Sequence, residues 1–150
     1  MWLDALLAYL HFTAVFVLFA FLSIELVLLK GELTAAAIRQ LGRMDLWYFG
    51  SAIVVLASGF ARLVFGAKGP DFYLQSWPIY VKLALLLLVA IISVTPTLRF
   101  IQWRRRVEHD AAWTVPAAEQ RGMRRTVLIE VHLAALIPLV AVIMARGLGR

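Results

Sequence analysis

The chain has 150 residues, 63% of them hydrophobic, no cysteine and a formal net charge of +6. Its mean hydropathy of +0.85 excludes a soluble globular domain and marks a membrane protein with room for one domain, residues 1–150. The lack of cysteine excludes a disulfide and a covalent Cys-x-x-Cys-His haem attachment, and nucleic-acid binding is not expected because the basic residues flank apolar runs instead of striping a soluble face.

Four apolar stretches follow one another: Ala5 to Leu29, Leu46 to Phe65, Pro78 to Leu98 and Thr126 to Ala145. Each is near the ~20 residues with which a helix crosses a ~30 Å hydrocarbon core. The first is expected to stay as a helix, because Asp4 stands where a cleavable signal has its basic region and the apolar run is too long for one. Within it, spacings of three and four join His11, Ala14, Val15, Leu18, Leu22 and Glu25 into one stripe that should face protein. His11 falls about 9 Å inside the outer boundary, and Glu25 is expected to snorkel toward the opposite interface.

The connection from Gly31 to Arg43 alternates charged and apolar residues and reads as a short amphipathic helix on the membrane surface. Asp45 then opens the second span, where its carboxylate suits the positive end of the helix dipole. That span is small-sided, with Gly50, Ser51, Ala52, Ala57, Ser58, Gly59 and Ala61, which lets backbones approach closely or leaves space for a flat cofactor. Arg62 lies near its outer end. The next connection, Gly66 to Asp71, is a turn, and Phe72, Tyr73, Trp77 and Tyr80 supply interfacial rings.

Lys82 sits one turn inside the third span, at a depth similar to His11 and Arg62. Pro96, like Pro138 in the fourth span, frees carbonyls that Thr95, Thr97 or water can satisfy. The third connection reads as a solvated polar loop; Glu108, His109 and Asp110 are adjacent there, and adjacent residues on a helix point apart. In the fourth span His132 lies near mid-membrane, about 20 Å from the outer boundary. Glu130 is about 200° around the helix from His132, so both cannot point squarely into one narrow interior. An ion pair with Arg43 or Arg99 would satisfy Glu130.

Antiparallel neighbours joined by short connections make an all-α integral membrane protein, an antiparallel up-and-down four-transmembrane-helix bundle. Ten basic residues (Lys30, Arg39, Arg43, Arg99, Arg104, Arg105, Arg106, Arg121, Arg124 and Arg125) fall on the side of the first and third connections, against five on the other. The positive-inside rule then puts both termini outside.

His11 and His132 carry the first functional clue, since an ionisable ring is costly in hydrocarbon unless something uses or satisfies it. Imidazole ligates haem iron and transition metals, and it also carries protons near neutral pH. A third reading satisfies the ring with a carbonyl or hydroxyl of a neighbouring helix. Arg62 and Lys82 suit the two propionates of a haem, and equally suit lipid headgroups.

The motifs Gly66-Ala67-Lys68-Gly69 with Phe72-Tyr73, Pro96-Thr97 with Phe100 and Trp103-Arg104, and Leu136-Ile137-Pro138-Leu139 with Met144-Ala145-Arg146-Gly147 resemble, in order and spacing, a family of small bacterial four-span proteins (domain of unknown function 2214). That resemblance covers essentially the whole chain and implies the bacterial cytoplasmic membrane, with no activity attached. A more distant similarity is to the HemJ-type protoporphyrinogen oxidase family, which binds haem b through a histidine on its first helix. His11 stands in the corresponding place; Lys82 before a leucine-rich helix, and Arg125 with Glu130, are also similar. The chain departs from that family in having Ser93 to Thr97 where a late histidine of the third helix is expected, and Val131-His132 where a proline follows the acidic position.

The leading expectation is a non-covalent haem b protein with His11 and His132 as iron ligands and Arg62 and Lys82 near the propionates, working in electron transfer or membrane redox chemistry with a redox partner. One alternative is a proton-coupled transporter subunit, acting as a homo-oligomer, with His11, Glu25, Glu130 and His132 as relay points. The other is a structural accessory subunit.

Overall fold

The computed structural model describes residues 2–66 and 74–146. The expected turn from residue 67 onward, the rings of Phe72 and Tyr73, Lys68, and Gly147 and Arg150 lie outside the described residues.

Four helices account for nearly all of the described chain: α1 (Trp2–Leu28), α2 (Ala35–Phe65), α3 (Trp77–His109) and α4 (Ala117–Ala145). All four are long and apolar enough to cross a membrane. Most of their large apolar side chains face outward, as a lipid solvent allows; Phe16, Trp47, Phe60, Leu87 and Leu139 are all exposed. The architecture is the expected all-helical four-span bundle.

Around the bundle α1 lies against α2, α2 against α3, α3 against α4 and α4 against α1, so α1/α3 and α2/α4 are the diagonals. The hairpins α1–α2 and α3–α4 are each tightly packed, and the two hairpins meet more sparsely.

Two helices run further than their apolar stretches foretold. The expected surface helix from Gly31 to Arg43 is instead the opening of α2, because no Gly-Pro break separates Ile38 and Leu41 from Asp45 and Tyr48, and all four are buried along one stripe. Thr34 caps this start, its hydroxyl oxygen accepting from the Ala37 N–H at 3.2 Å. Likewise α3 continues through the basic run to His109, which shortens the third connection to residues 110–116. At ~1.5 Å per residue α3 is about 50 Å long, against a ~30 Å hydrocarbon core, so its basic end stands in water.

The apolar core gathers at that end. Leu22, Leu29, Ile38, Leu41, Phe100, Trp103, Val107 and Val127 form one buried cluster there. Water supplies a hydrophobic drive where the helices leave the membrane, whereas lipid tails supply none between helices within it. Polar bonds lock the end: Trp103 Nε1 and Arg99 both donate to Glu119 Oε1, at 3.1 and 3.2 Å, and Gln120 Nε2 donates to the carbonyls of Leu29 and Gly31 at 3.0 and 2.7 Å. Toward the termini the interior of α1 and α2 is small and polar, its buried residues being His11, Ala14, Ser51 and Ser58.

Candidate functional site

Two polar groups of residues occupy the interior, one in each half of the bundle.

In the terminal half, His11 is 8% exposed and its Nδ1 lies 3.0 Å from Ser58 Oγ on α2. Ser58 Oγ also contacts the carbonyls of Val54 and Val55 at 2.6 and 3.2 Å. A carbonyl only accepts, so Ser58 gives its single proton to the helix and accepts from the imidazole. That assigns the proton to Nδ1 and leaves the lone pair on Nε2, the usual arrangement of a histidine prepared to ligate. Gly59 makes this approach possible: a Cβ there would come 3.2 Å from His11 Cε1.

Arg62 and Lys82 both lie within electrostatic reach of His11 and of each other. The Arg62 guanidinium stacks over the Phe12 ring, 5.3 Å from its centroid, yet its Nε is buried without a hydrogen-bond partner. Two of these features fit a haem: an imidazole whose Nδ1 carries the proton and whose Nε2 keeps its lone pair, and two neighbouring cations, one with an unspent donor for a propionate. Among the described residues there is no cluster of three or more His, Cys, Asp or Glu side chains arranged to hold a bare metal ion.

His132 does not join this group. It is exposed on the outward face of α4, its Nδ1 donating to the Leu128 carbonyl of its own helix at 2.7 Å. Glu130 takes the interior position, 1% exposed. Of the expected site residues the fold therefore assembles His11, Arg62 and Lys82, and leaves His132 apart. His109, expected in a polar loop, instead ends α3, where it is exposed to solvent.

The second group sits toward the basic end. Glu130 accepts from the Tyr48 hydroxyl at 2.5 Å, and Asp45 accepts from the Thr97 hydroxyl at 2.9 Å. Glu25, 1% exposed, lies within electrostatic reach of both Asp45 and Glu130. Three expectations are corrected here. Glu25 does not snorkel, because the stripe it shares with Ala14 and Leu22 turns it into the bundle. Asp45 does not serve a helix N-terminus, because α2 begins ten residues earlier at Ala35. Among the described residues Glu130 pairs with no arginine: Arg99 is committed to Glu119, and Tyr48 donates to Glu130 instead. Thr97, expected to repair the carbonyls freed by Pro96, bonds across to α2 instead.

Tyr48 was not marked as functional by the sequence. Its only sign there is a position one turn beyond Asp45 on the stripe running from Ile38 and Leu41.

The model of a family described as predicted membrane protein, DUF2214, matches residues 3–149. The chain belongs to this DUF2214 family. Neither curated proteins nor solved structures provide a match. Family membership thus agrees with the four membrane-spanning helices and assigns no chemistry to either polar group.

Proposed function

We propose that this DUF2214 protein is a haem b-binding redox protein of the bacterial cytoplasmic membrane, with both termini outside, His11 as the iron ligand and Arg62 and Lys82 as the propionate partners. The observation that supports it most is the His11–Ser58 bond, which keeps the lone pair on Nε2 of a ring within electrostatic reach of two cations, one of them with an unspent buried donor. Haem b would supply one-electron redox chemistry at this end of the bundle.

The residues of the chain divide that work. Ser58 fixes the imidazole tautomer and plane, and Gly59 allows the ring to seat against α2. Arg62 and Lys82 offset two negative charges near the membrane boundary. Since His132 faces outward, the chain offers one interior histidine, which favours redox chemistry on a bound molecule over pure electron transfer through a doubly ligated iron. Electrons then pass to or from a separate redox partner.

Purification with haem supplied during expression, followed by an absorption spectrum, tests the reading. A Soret band that is lost in His11→Ala is expected. A colourless wild-type protein, or a band unchanged in His11→Ala, overturns it.

A further inference from the structure

The buried carboxyl groups of Glu25, Asp45 and Glu130 are not accounted for by haem binding. Glu25 lies fourteen residues beyond His11 on α1, about 21 Å along the helix at ~1.5 Å per residue. They come from three helices, and the fourth supplies Thr97 to Asp45.

The groups facing Glu25 can be named element by element. From α2 come Asp45 and Tyr48, and from α4 comes Glu130. Behind them α3 presents Thr97 and Ser93, both uncharged. Among the described residues no lysine, arginine or histidine forms an ion pair with any of the three carboxyls; the ion pairs are Arg99–Glu119 and Arg104–Glu108, both on the basic end. The apolar cluster of Leu41, Phe100, Trp103 and Val127 is packed beside them.

Three negative charges gathered in such a place, with no cation, would be prohibitively costly, and a buried carboxyl under those conditions takes up a proton. The three are not equivalent. Glu130 and Asp45 each accept a hydroxyl hydrogen bond, which satisfies one oxygen of each carboxyl. Glu25 differs: its Oε1 is fully buried with no hydrogen-bond partner among the described residues. A divalent or sodium ion is the other way to neutralise carboxylates, but the side chains do not converge as a metal's ligands must.

We propose that Glu25, Asp45 and Glu130 form a proton-binding site in the basic half of the bundle, with Glu25 carrying the exchangeable proton and Tyr48 and Thr97 holding the other two carboxylates. Binding a proton converts the Glu25 carboxylate to the acid and removes one negative charge; release to the medium restores it. The site is independent of the histidines, so it stands whether or not haem is bound, and it gives the bundle a place to balance charge that arrives elsewhere in it.

Infrared spectroscopy of the full-length protein in lipid, without added haem, tests this directly. At neutral pH a protonated-carboxyl C=O band is expected in the wild type and is lost in Glu25→Gln, with helix content by circular dichroism unchanged. Absence of such a band from the wild type, or its persistence in Glu25→Gln, overturns the proposal. Should Glu25→Gln fail to accumulate as folded protein, Tyr48→Phe decides the point: loss of the donor to Glu130 adds protonated-carboxyl intensity, and an unchanged band overturns it. A wild-type band abolished by adding sodium or calcium ion also overturns it, in favour of a cation site.

Discussion

Tyr48 on α2 and Glu130 on α4 meet across a diagonal of the bundle, the phenol donating to the carboxylate over 2.5 Å although their helices do not touch along their backbones. The bond ties the two tight hairpins together where they are otherwise sparsely packed. Removing it by Tyr48→Phe leaves a buried carboxylate without its donor and should cost about 1–3 kcal/mol. Glu130→Gln keeps an acceptor for the phenol and should cost less, and the paired change Tyr48→Phe, Glu130→Leu should restore much of the loss by removing both polar groups. Thermal unfolding in detergent measures all three; a Tyr48→Phe protein as stable as wild type would show that the bond contributes nothing.

Gly59 and Gly50 lie on the same helix and make opposite predictions. A Cβ at Gly59 meets the His11 ring at 3.2 Å, whereas one at Gly50 meets nothing within 4 Å. Gly59→Leu should therefore lower stability by about 1–3 kcal/mol through overpacking. Gly50→Leu should be neutral in the same unfolding assay. Equal effects would refute the close approach of α1 and α2 at His11.

The two membrane histidines should also separate in a haem-supplied preparation. His11→Ala is expected to abolish the Soret band, and His132→Ala, on the outward face of α4, to leave its position and intensity unchanged. Loss of the band in His132→Ala alone would place a ligand on a face the bundle does not enclose, and would require a second copy of the chain to complete the site.

Orientation is open to a labelling experiment because the chain has no native cysteine. Leu74→Cys precedes α3 at the terminal end, and Asp110→Cys follows it at the basic end. A membrane-impermeant maleimide should label the first in intact spheroplasts and the second only after lysis. The reverse pattern would place the termini in the cytoplasm.

The sequence alone determined the solvent, the element type and the number of spans. Hydrocarbon requires every backbone group to bond within the protein, and uninterrupted apolar runs of ~20 residues do so as helices, not as the short alternating strands of a barrel, so four such runs mean four helices. It also determined the face of α1, because His11 and Glu25 are the polar residues on a stripe whose other members are apolar; His11, Ala14, Leu22 and Glu25 of that stripe are buried, and Val15 and Leu18 are half-buried. The helix lengths were less legible, since hydropathy marks where a helix leaves lipid and not where it ends; α2 and α3 simply continue into water.

Tertiary structure alone decided which polar groups meet. On α4 a choice between Glu130 and His132 was visible, but its outcome was not, because a membrane helix is apolar on both its lipid and its protein faces and carries little amphipathic signal. The neighbours settled it: Tyr48, 82 residues away, offers a hydroxyl that a carboxylate accepts, and His132 satisfies one nitrogen on its own helix. Asp45 and Thr97, and His11 and Ser58, are pairings of the same kind, made by contacts between helices that no spacing along the chain encodes.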